Sequence, residues 1–319
     1  MIELTTGIND TGRRLDRILR KALPQYSLSL LHRLLRQKKV MVNGNPVKPN
    51  TIIQLNDVIQ IHTVVNENIA VNNNNIQVNE KINVKKEQLP QVLWQGSGIV
   101  IFNKQPGLAT HGTHSLDGLV KSSFSDTLPP SLSFKPGPLH RLDKQTSGAI
   151  AFSQSLAGAQ LFSRLLHEKK LVKTYLAIVE GCVYREELWQ DELIRNKKVQ
   201  KSFIANGENT KNAVMKVKPL ASNDNYTLIE AVIITGRTHQ IRVQSAAHGH
   251  PLAGDTKYGG KYLPGGNFYL HAWKIDFTAL TEIDPPEFPK LVTAPIPETF
   301  IACVKLLFDQ NTFSKIMNL

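Results

Sequence analysis

Residues 63–90 contain no aromatic side chain and no helical apolar stripe, but they do contain Asn72-Asn73-Asn74-Asn75 and Lys85-Lys86-Glu87. A stretch so poor in apolar surface reads as a linker. It divides the 319-residue chain into a short part, 1–62, and a long part, 91–319, each of which must build its own core.

In the short part, Leu15, Ile18, Leu19 and Leu23 recur at helical spacing and Pro24 stops the run. Ser27 or Ser29 can cap a second helix carrying the stripe Leu30, Leu31, Leu34 and Leu35. Val40–Val42, the turn Asn43-Gly44-Asn45 and Pro46-Val47 then read as a hairpin, and Val58–His62 as a further strand. The expected unit is two helices and a small sheet.

In the long part, strands outnumber helices and do not alternate regularly with them. Ile99–Phe102, Ala149–Phe152, Leu171–Val179, Ala213–Val217, Tyr226–Ile234 and Phe268–Phe277 read as strands, and Ser155–Lys169 as a helix. That order predicts an α+β fold with a mainly antiparallel, mixed sheet rather than a doubly wound parallel one.

The formal net charge is +12, which favours a polyanionic partner, nucleic acid or acidic lipid. Residues 1–62 hold ten Lys/Arg against four Asp/Glu, so this small part carries half of the excess. Only two cysteines, Cys182 and Cys303, occur; no disulfide framework or thiolate-rich zinc site can be built from them, and a reducing, cytoplasmic setting fits. No apolar run is long enough for a membrane span, and the N-terminus does not read as a secretory signal. Phosphate-loop, dinucleotide and Gly-x-Ser-x-Gly patterns are absent. His111 with His114, and His248 with His250, have no converging carboxylate or Cys pattern, so neither a metal nor a cofactor is expected.

Three constellations could carry chemistry. The loop from Gly137 to Gly148 presents Asp143 between Arg141 and Lys144, cations that favour an ionised carboxylate suited to act as nucleophile or base. A turn whose Asp caps local amides is the competing reading. In Thr235–Val243, Gly236 can end a strand and Thr238 can cap a short helix, which gathers Arg237, His239 and Arg242 as either an anion cradle or a solvated basic face. Lys173 and Tyr175 share one face of a strand, where the ring could stack on a base or simply be half-buried.

Together these segments resemble the RluA family of pseudouridine synthases. His140-Arg141-Leu142-Asp143 resembles the family signature, Lys173-Thr174-Tyr175 its Lys-x-Tyr strand, Thr235–Val243 its third motif, and Leu252–Gly259 its Gly-Asp-x-x-Tyr-Gly turn. The ordered set spans about 95–275, and residues 12–62 resemble the S4 RNA-binding domain. That pairing is similar to the large-subunit rRNA enzymes of the RluC and RluD type. One departure is Gln244, where the family usually has His, at a position not assigned to chemistry.

The resemblance implies a pseudouridine synthase fold over 91–319, an S4-like domain over 1–62 and an isomerase that needs no cofactor. It implies Asp143 as the catalytic carboxylate, acting either on the ribose carbon or on a sugar proton. Arg242 is then its ion-pair partner, and Tyr175 packs against the uracil and helps remove the C5 proton. Arg141 is the candidate to fill the space left by a flipped base, and Arg33, Arg36, Lys38 and Lys39 are candidates for phosphate contacts. The implied partner is RNA, with large-subunit rRNA favoured over tRNA, and a monomer is the default expectation. Two other functions compete: a non-catalytic S4-type RNA-binding or ribosome-assembly protein, and a nucleoside hydrolase that would need a second carboxylate, for which Asp255 is available in sequence.

Overall fold

A computed structural model describes residues 1–62, 89–124, 127–263, 267–280, 288–309 and 314. Of the expected linker, only 89 and 90 fall among them. The chain divides into two compact units. One draws its described residues from within 1–89, 119–137 and 154–158, the other from within 90–118, 138–153 and 159–319.

The first unit opens with β1 (Ile2–Thr5), α1 (Leu15–Ala22) and α2 (Leu28–Arg36), followed by β2 (Val40–Val42), β3 (Asn45–Pro46) and β4 (Val58–Ile61). Ser27 caps α2, its hydroxyl accepting from the Leu30 amide at 3.2 Å. Asn43 and Gly44 take φ of 52° and 77°, the left-handed pair that a two-residue hairpin turn requires. The four strands pair in the order β1-β4-β2-β3, all antiparallel. Leu15, Ile18 and Leu19 of α1 and Leu31, Leu34 and Leu35 of α2 are buried with Val40, Ile59 and Ile61 of the sheet in one cluster. Asp10 accepts from the amides of Gly7, Leu132 and Ser133 at 3.1, 2.9 and 3.0 Å, fixing residues 131–133 in this unit. Burial opposes its ionisation, but the donors of Ser133, Leu132, Gly7 and Ser131 outweigh it and hold its pKa below the usual value.

The remaining elements follow in chain order as β5 (Val92–Gly96), β6 (Ile99–Lys104), α3 (Leu116–Phe124), β7 (Gly137–Pro138), β8 (Ser147–Ser153) and α4 (Leu156–His167). Then come β9 (Val172–Glu180), β10 (Glu187–Asn196), β11 (Lys201–Ile204), β12 (Lys211–Ser222), β13 (Tyr226–Ile233), α5 (Gln240–Ala247), β14 (Leu270–Asp276), β15 (Leu291–Thr293) and α6 (Glu298–Leu307). Among the described residues the sheet runs β11-β10-β12-β13-β9-β14-β8-β6-β5, with β15 beside β14 and β7 beside β8. Every registered pairing in it is antiparallel except β14 with β8. This is the mixed, mainly antiparallel α+β sheet expected.

β6 and β8 are buried along their whole length, which is why they read as continuous apolar runs. Ile99, Ile101, Ala149 and Ala151 pack with Phe162 and Leu165 of α4, while Leu176 and Ile178 of β9 pack with Phe300, Cys303 and Val304 of α6. The parallel pair demands a glycine. Gly148 has φ +106°, and a Cβ there would lie 2.2 Å from the Ala272 carbonyl oxygen. That close approach brings the loop before β8 alongside β14.

Candidate active site

The loop carrying Asp143 is pinned from below. Thr110 Oγ1 donates to the Leu142 carbonyl at 2.8 Å, and the Gly107 amide donates to the Lys144 carbonyl at 2.9 Å. Lys104, the last residue of β6 and wholly buried, donates through Nζ to the carbonyls of Gln105, Leu108 and Lys144 at 3.0, 2.7 and 3.0 Å. Burial pulls its pKa down to about 7 while Asp143 pushes it back up. Three carbonyl acceptors match the three N–H bonds of an ammonium, so this geometry favours the charged form under the loop. His140 is fixed as well. Its Nε2 accepts from the Ala151 amide at 3.0 Å, which leaves the proton on Nδ1. Burial, and then Lys173, depress its pKa well below the usual value, so the ring is neutral.

The third motif does not fold as its spacing suggested. Thr238 is not the helix cap. His239 takes that place, in the left-handed conformation with φ 56° and ψ 24°. The Gln240 carboxamide oxygen accepts from the Arg237 amide at 3.0 Å and from the Thr235 hydroxyl at 2.9 Å. Arg237 is exposed, and its Nε donates to the Asn212 carbonyl at 2.9 Å. Arg242, 6% exposed, instead points inward.

There Arg242 serves two carboxylates of the protein itself. Nη1 donates to Asp143 Oδ2 at 3.0 Å, while Nε and Nη2 grip Asp255 Oδ2 and Oδ1 at 2.7 and 2.8 Å. The guanidinium also lies 4.1 Å from the Phe268 ring centroid and 4.9 Å from that of Tyr258. Burial opposes the charge on Arg242, but Asp255 and then Asp143 restore it and raise its pKa. The anion cradle of the sequence reading is therefore a cradle for two internal carboxylates. Asp255, 2% exposed and held by the guanidinium fork, is a structural partner of Arg242 and not a free acid facing a substrate, which removes the hydrolase's second carboxylate.

Asp143, Arg242 and Tyr175 come together at a cavity of about 670 Å3, of the size that holds a small ligand or one nucleotide. Arg141, Lys173, Arg237 and His239 also line it. Tyr175, on β9, is 6% exposed, and burial followed by the charge of Asp143 raises its pKa, so the phenol keeps its proton. Lys173, two residues earlier on the same face, has its pKa lowered to about 8 by burial. Arg33, Arg36 and Lys38 are exposed and Lys39 is half-buried on and after α2, in the first unit and apart from this cavity's lining. Gln244, fully buried, donates to Asp191 Oδ2 at 2.7 Å and lies 3.2 Å from the Trp189 and Ala213 carbonyls, holding α5 to β10 and β12.

Sequence reasoning passed over Lys104, Tyr258 and the structural role of Asp255, and it placed His239 only among the basic residues of a possible anion cradle. The visible signals were slight: a lysine two residues past an apolar run and before Gln105-Pro106-Gly107, and an Asp three residues before a Tyr in a glycine-rich turn. His239 lies 3.7 Å from Asp143 through Nε2, and its Nδ1 is 2.7 Å from the Tyr258 hydroxyl.

Comparison with known proteins gives the family. Residues 98–247 match the family model described as RNA pseudouridylate synthase, and residues 13–59 match that of the S4 domain. A relative from Pasteurella multocida, "Ribosomal large subunit pseudouridine synthase C", is 31% identical over 289 residues, covering 86% of this chain and 85% of its own. "Ribosomal large subunit pseudouridine synthase D" of Neisseria meningitidis is 29% identical, covering 96% of this chain and 82% of its own. Among solved structures, "Human RNA Pseudouridylate Synthase Domain Containing 4" superposes with a TM-score of 0.54 at 23% identity, covering 67% of this chain and 91% of the human one, a likeness of fold.

Proposed function

The chain belongs to the RNA pseudouridylate synthase family, and from that premise we propose that it isomerises chosen uridines of large-subunit ribosomal RNA to pseudouridine. The observation that carries the proposal is the Asp143–Arg242–Asp255 array beside a cavity also lined by Tyr175, in a chain whose relatives bear ribosomal large-subunit names. The C1′–N1 bond breaks, the uracil turns, a C1′–C5 bond forms, the C5 proton leaves to solvent and N1 takes one up, so the product is an isomer with no net oxidation or reduction.

In this reading Asp143 is the catalytic carboxylate, either attacking the ribose or taking a sugar proton, and Arg242 keeps one of its oxygens aimed. Tyr175 packs against the uracil. Burial and the charge of Asp143 raise its pKa, so the ring enters the reaction as the neutral phenol, beside the C5 proton whose removal it helps. The target base must leave its stack at a cost of about a few kcal/mol, and the exposed Arg141 fills the gap it leaves. Residues 1–62 act as the S4-type RNA-binding domain and 91–319 as the catalytic domain, working in the cytoplasm as a monomer. Arg33, Arg36, Lys38 and Lys39 supply phosphate contacts that give affinity more than sequence choice.

The test is large-subunit rRNA labelled with tritium at uridine C5. The expected result is release of tritium to water by the wild type and none by Asp143→Ala. Tight binding with no release from rRNA or tRNA would replace this reading with a non-catalytic RNA-binding protein. Free uracil among the products would replace it with a hydrolase.

A further inference from the structure

Behind Asp143, three elements meet in a short chain of hydrogen bonds whose direction can be worked out. Ser202, 2% exposed on β11, has a backbone amide that can only donate, and it donates to the Tyr258 hydroxyl oxygen at 2.9 Å. That oxygen lies 2.7 Å from His239 Nδ1. Burial raises the pKa of Tyr258, so the phenol carries its proton. Its acceptor side is turned to Ser202 and its O–H to Nδ1. His239 Nδ1 is thus an acceptor, and a neutral ring must carry its proton on Nε2.

The ring is neutral for identifiable reasons. Burial is the largest influence and takes its pKa down to about 4; Asp143 favours the charged ring, while Arg242, Arg195 and Lys257 oppose it. Nε2 faces Asp143 Oδ1 at 3.7 Å, and Arg242 Nη1 holds the other oxygen, Oδ2, at 3.0 Å. The backbone is arranged to the same end. His239 starts α5 at φ 56°, a region a non-glycine residue adopts only when its surroundings hold it there. Ser202 Oγ donates to the Thr238 carbonyl at 2.8 Å, and the Val243 amide to the His239 carbonyl at 2.9 Å.

Resting on the reading of Asp143 as the catalytic carboxylate, we infer that His239 is a positioning residue whose neutral Nε2–H aims Asp143 through Oδ1, its tautomer set by Tyr258 and Ser202. Arg242 and His239 then take one oxygen each and fix the plane of the carboxylate. A neutral donor orients Asp143 without adding a second positive charge, which would make it a weaker nucleophile or base. The separation exceeds hydrogen-bond length by about 0.7 Å, a gap of the kind that closes when substrate fills a site.

The first test needs no turnover. Long-range nitrogen–proton NMR of histidine-labelled protein at neutral pH should show His239 protonated on Nε2 alone. An Nδ1–H tautomer or an imidazolium would overturn the inference. The second test is single-turnover tritium release with full pH profiles. Tyr258→Phe deletes the donor to Nδ1, so that nitrogen protonates more easily. The acid limb of the rate should move up by about one pH unit, and the rate should fall about tenfold with KM nearly unchanged. A merely structural tyrosine would lower the amount of active enzyme and leave the limb in place, which would also overturn the inference. His239→Asn keeps a side chain suited to the left-handed backbone but is too short to reach Asp143. It should lose about 10- to 100-fold in rate, and wild-type turnover by this variant would refute the role. Failure of the underlying reading looks different: Asp143→Asn would convert uridine at the normal rate, and the inference would fall with it whatever the tautomer.

Discussion

The two carboxylates that share Arg242 differ in exposure and geometry, and replacing them one at a time should separate stability from activity. Asp143 is 16% exposed in its side chain and makes one bond to the guanidinium; Asp255 is 1% exposed and makes two. Two carboxylates and one guanidinium leave the array with a net charge of −1. In Asp143→Asn the buried excess charge disappears, the amide oxygen can still accept from Nη1, and the Asp255 fork is untouched. The stability change should stay within about 1 kcal/mol of zero. In Asp255→Asn the fork cannot survive, because a carboxamide offers one good acceptor where two were used. Losing one charge-assisted bond at about 1.5–3 kcal/mol and weakening another should cost about 3 kcal/mol.

For a unit of this size that corresponds to roughly 6–12 °C in the melting temperature. Calorimetry of both variants, alongside tritium release from rRNA, reads the contrast directly. Asp143→Asn should melt like the wild type and be inactive. Asp255→Asn should melt early and retain Asp143 but turn over about 10- to 100-fold more slowly, because Arg242 has lost its anchor. Equal destabilisation by the two substitutions, or the larger loss in Asp143→Asn, would refute the claim that Asp255 anchors the array.

Other perturbations follow from the same contacts. Gly148→Ala should destabilise by about 3 kcal/mol or more, since its Cβ would sit 2.2 Å from the Ala272 carbonyl oxygen at φ +106°; urea unfolding checks it. Lys104→Met leaves the carbonyls of Gln105, Leu108 and Lys144 without their donor and should cost about 3 kcal/mol by the same assay, with activity falling as the Asp143 loop loosens. His271 is wholly buried between the Ser147 hydroxyl and the Ala294 carbonyl, and burial lowers its pKa to about 4. The folded state therefore excludes a proton that the unfolded chain binds below pH 6.5, so stability is full above 6.5 and falls as pH drops toward 4. The loss is at most about 2 kcal/mol at pH 5, and His271→Gln should flatten it in urea titrations. Replacing Arg33, Arg36, Lys38 and Lys39 one by one with Ala should weaken RNA binding and lower the salt slope of log K by roughly 0.7–0.9 per true phosphate contact, without changing single-turnover rates at saturating enzyme.

What could be read from the sequence depended on how burial maps onto residue type. β6 and β8 are covered on both faces and appear as unbroken apolar runs, so they were legible. β10 was not. Its inward-facing row is Glu187, Trp189, Asp191, Leu193 and Arg195, of which only Trp189 and Leu193 are apolar and buried, four residues apart as on a helix. Both carboxylates of that row have internal partners, Glu187 on the Trp189 indole N–H at 2.7 Å and Asp191 on Gln244 and His248. No periodicity scan can see such partners. Likewise, Asp143, Tyr175 and Arg242 stood out because each lies in a compact motif, whereas Lys104 acts through backbone carbonyls that any sequence would supply. The misplaced cap has a similar cause. Thr238 is the better cap by propensity, but the Tyr258 hydroxyl and Asp143 on either side of His239 favour the left-handed start, and tertiary contacts overrode local preference.

The array also faces an electrostatic conflict that its surroundings resolve. A site that sets two carboxylates, Asp143 and Asp255, on one guanidinium is rich in acid groups, yet its proposed substrate is a polyanion. Arg141 and Arg237 line the same cavity and are exposed, and Lys173 lines it half-buried. These cations do not neutralise Asp143, because Arg242 already occupies its Oδ2. Arg141 and Arg237 are in water and subject to salt screening, while the buried Arg242 is shielded from it. Separating the two sets of charge lets affinity be governed by screened, exposed cations and reactivity by a half-buried carboxylate held on a buried arginine. Merging them, by letting a mobile exposed arginine take over Arg242's role, would tie the state of Asp143 to the ionic strength around the RNA.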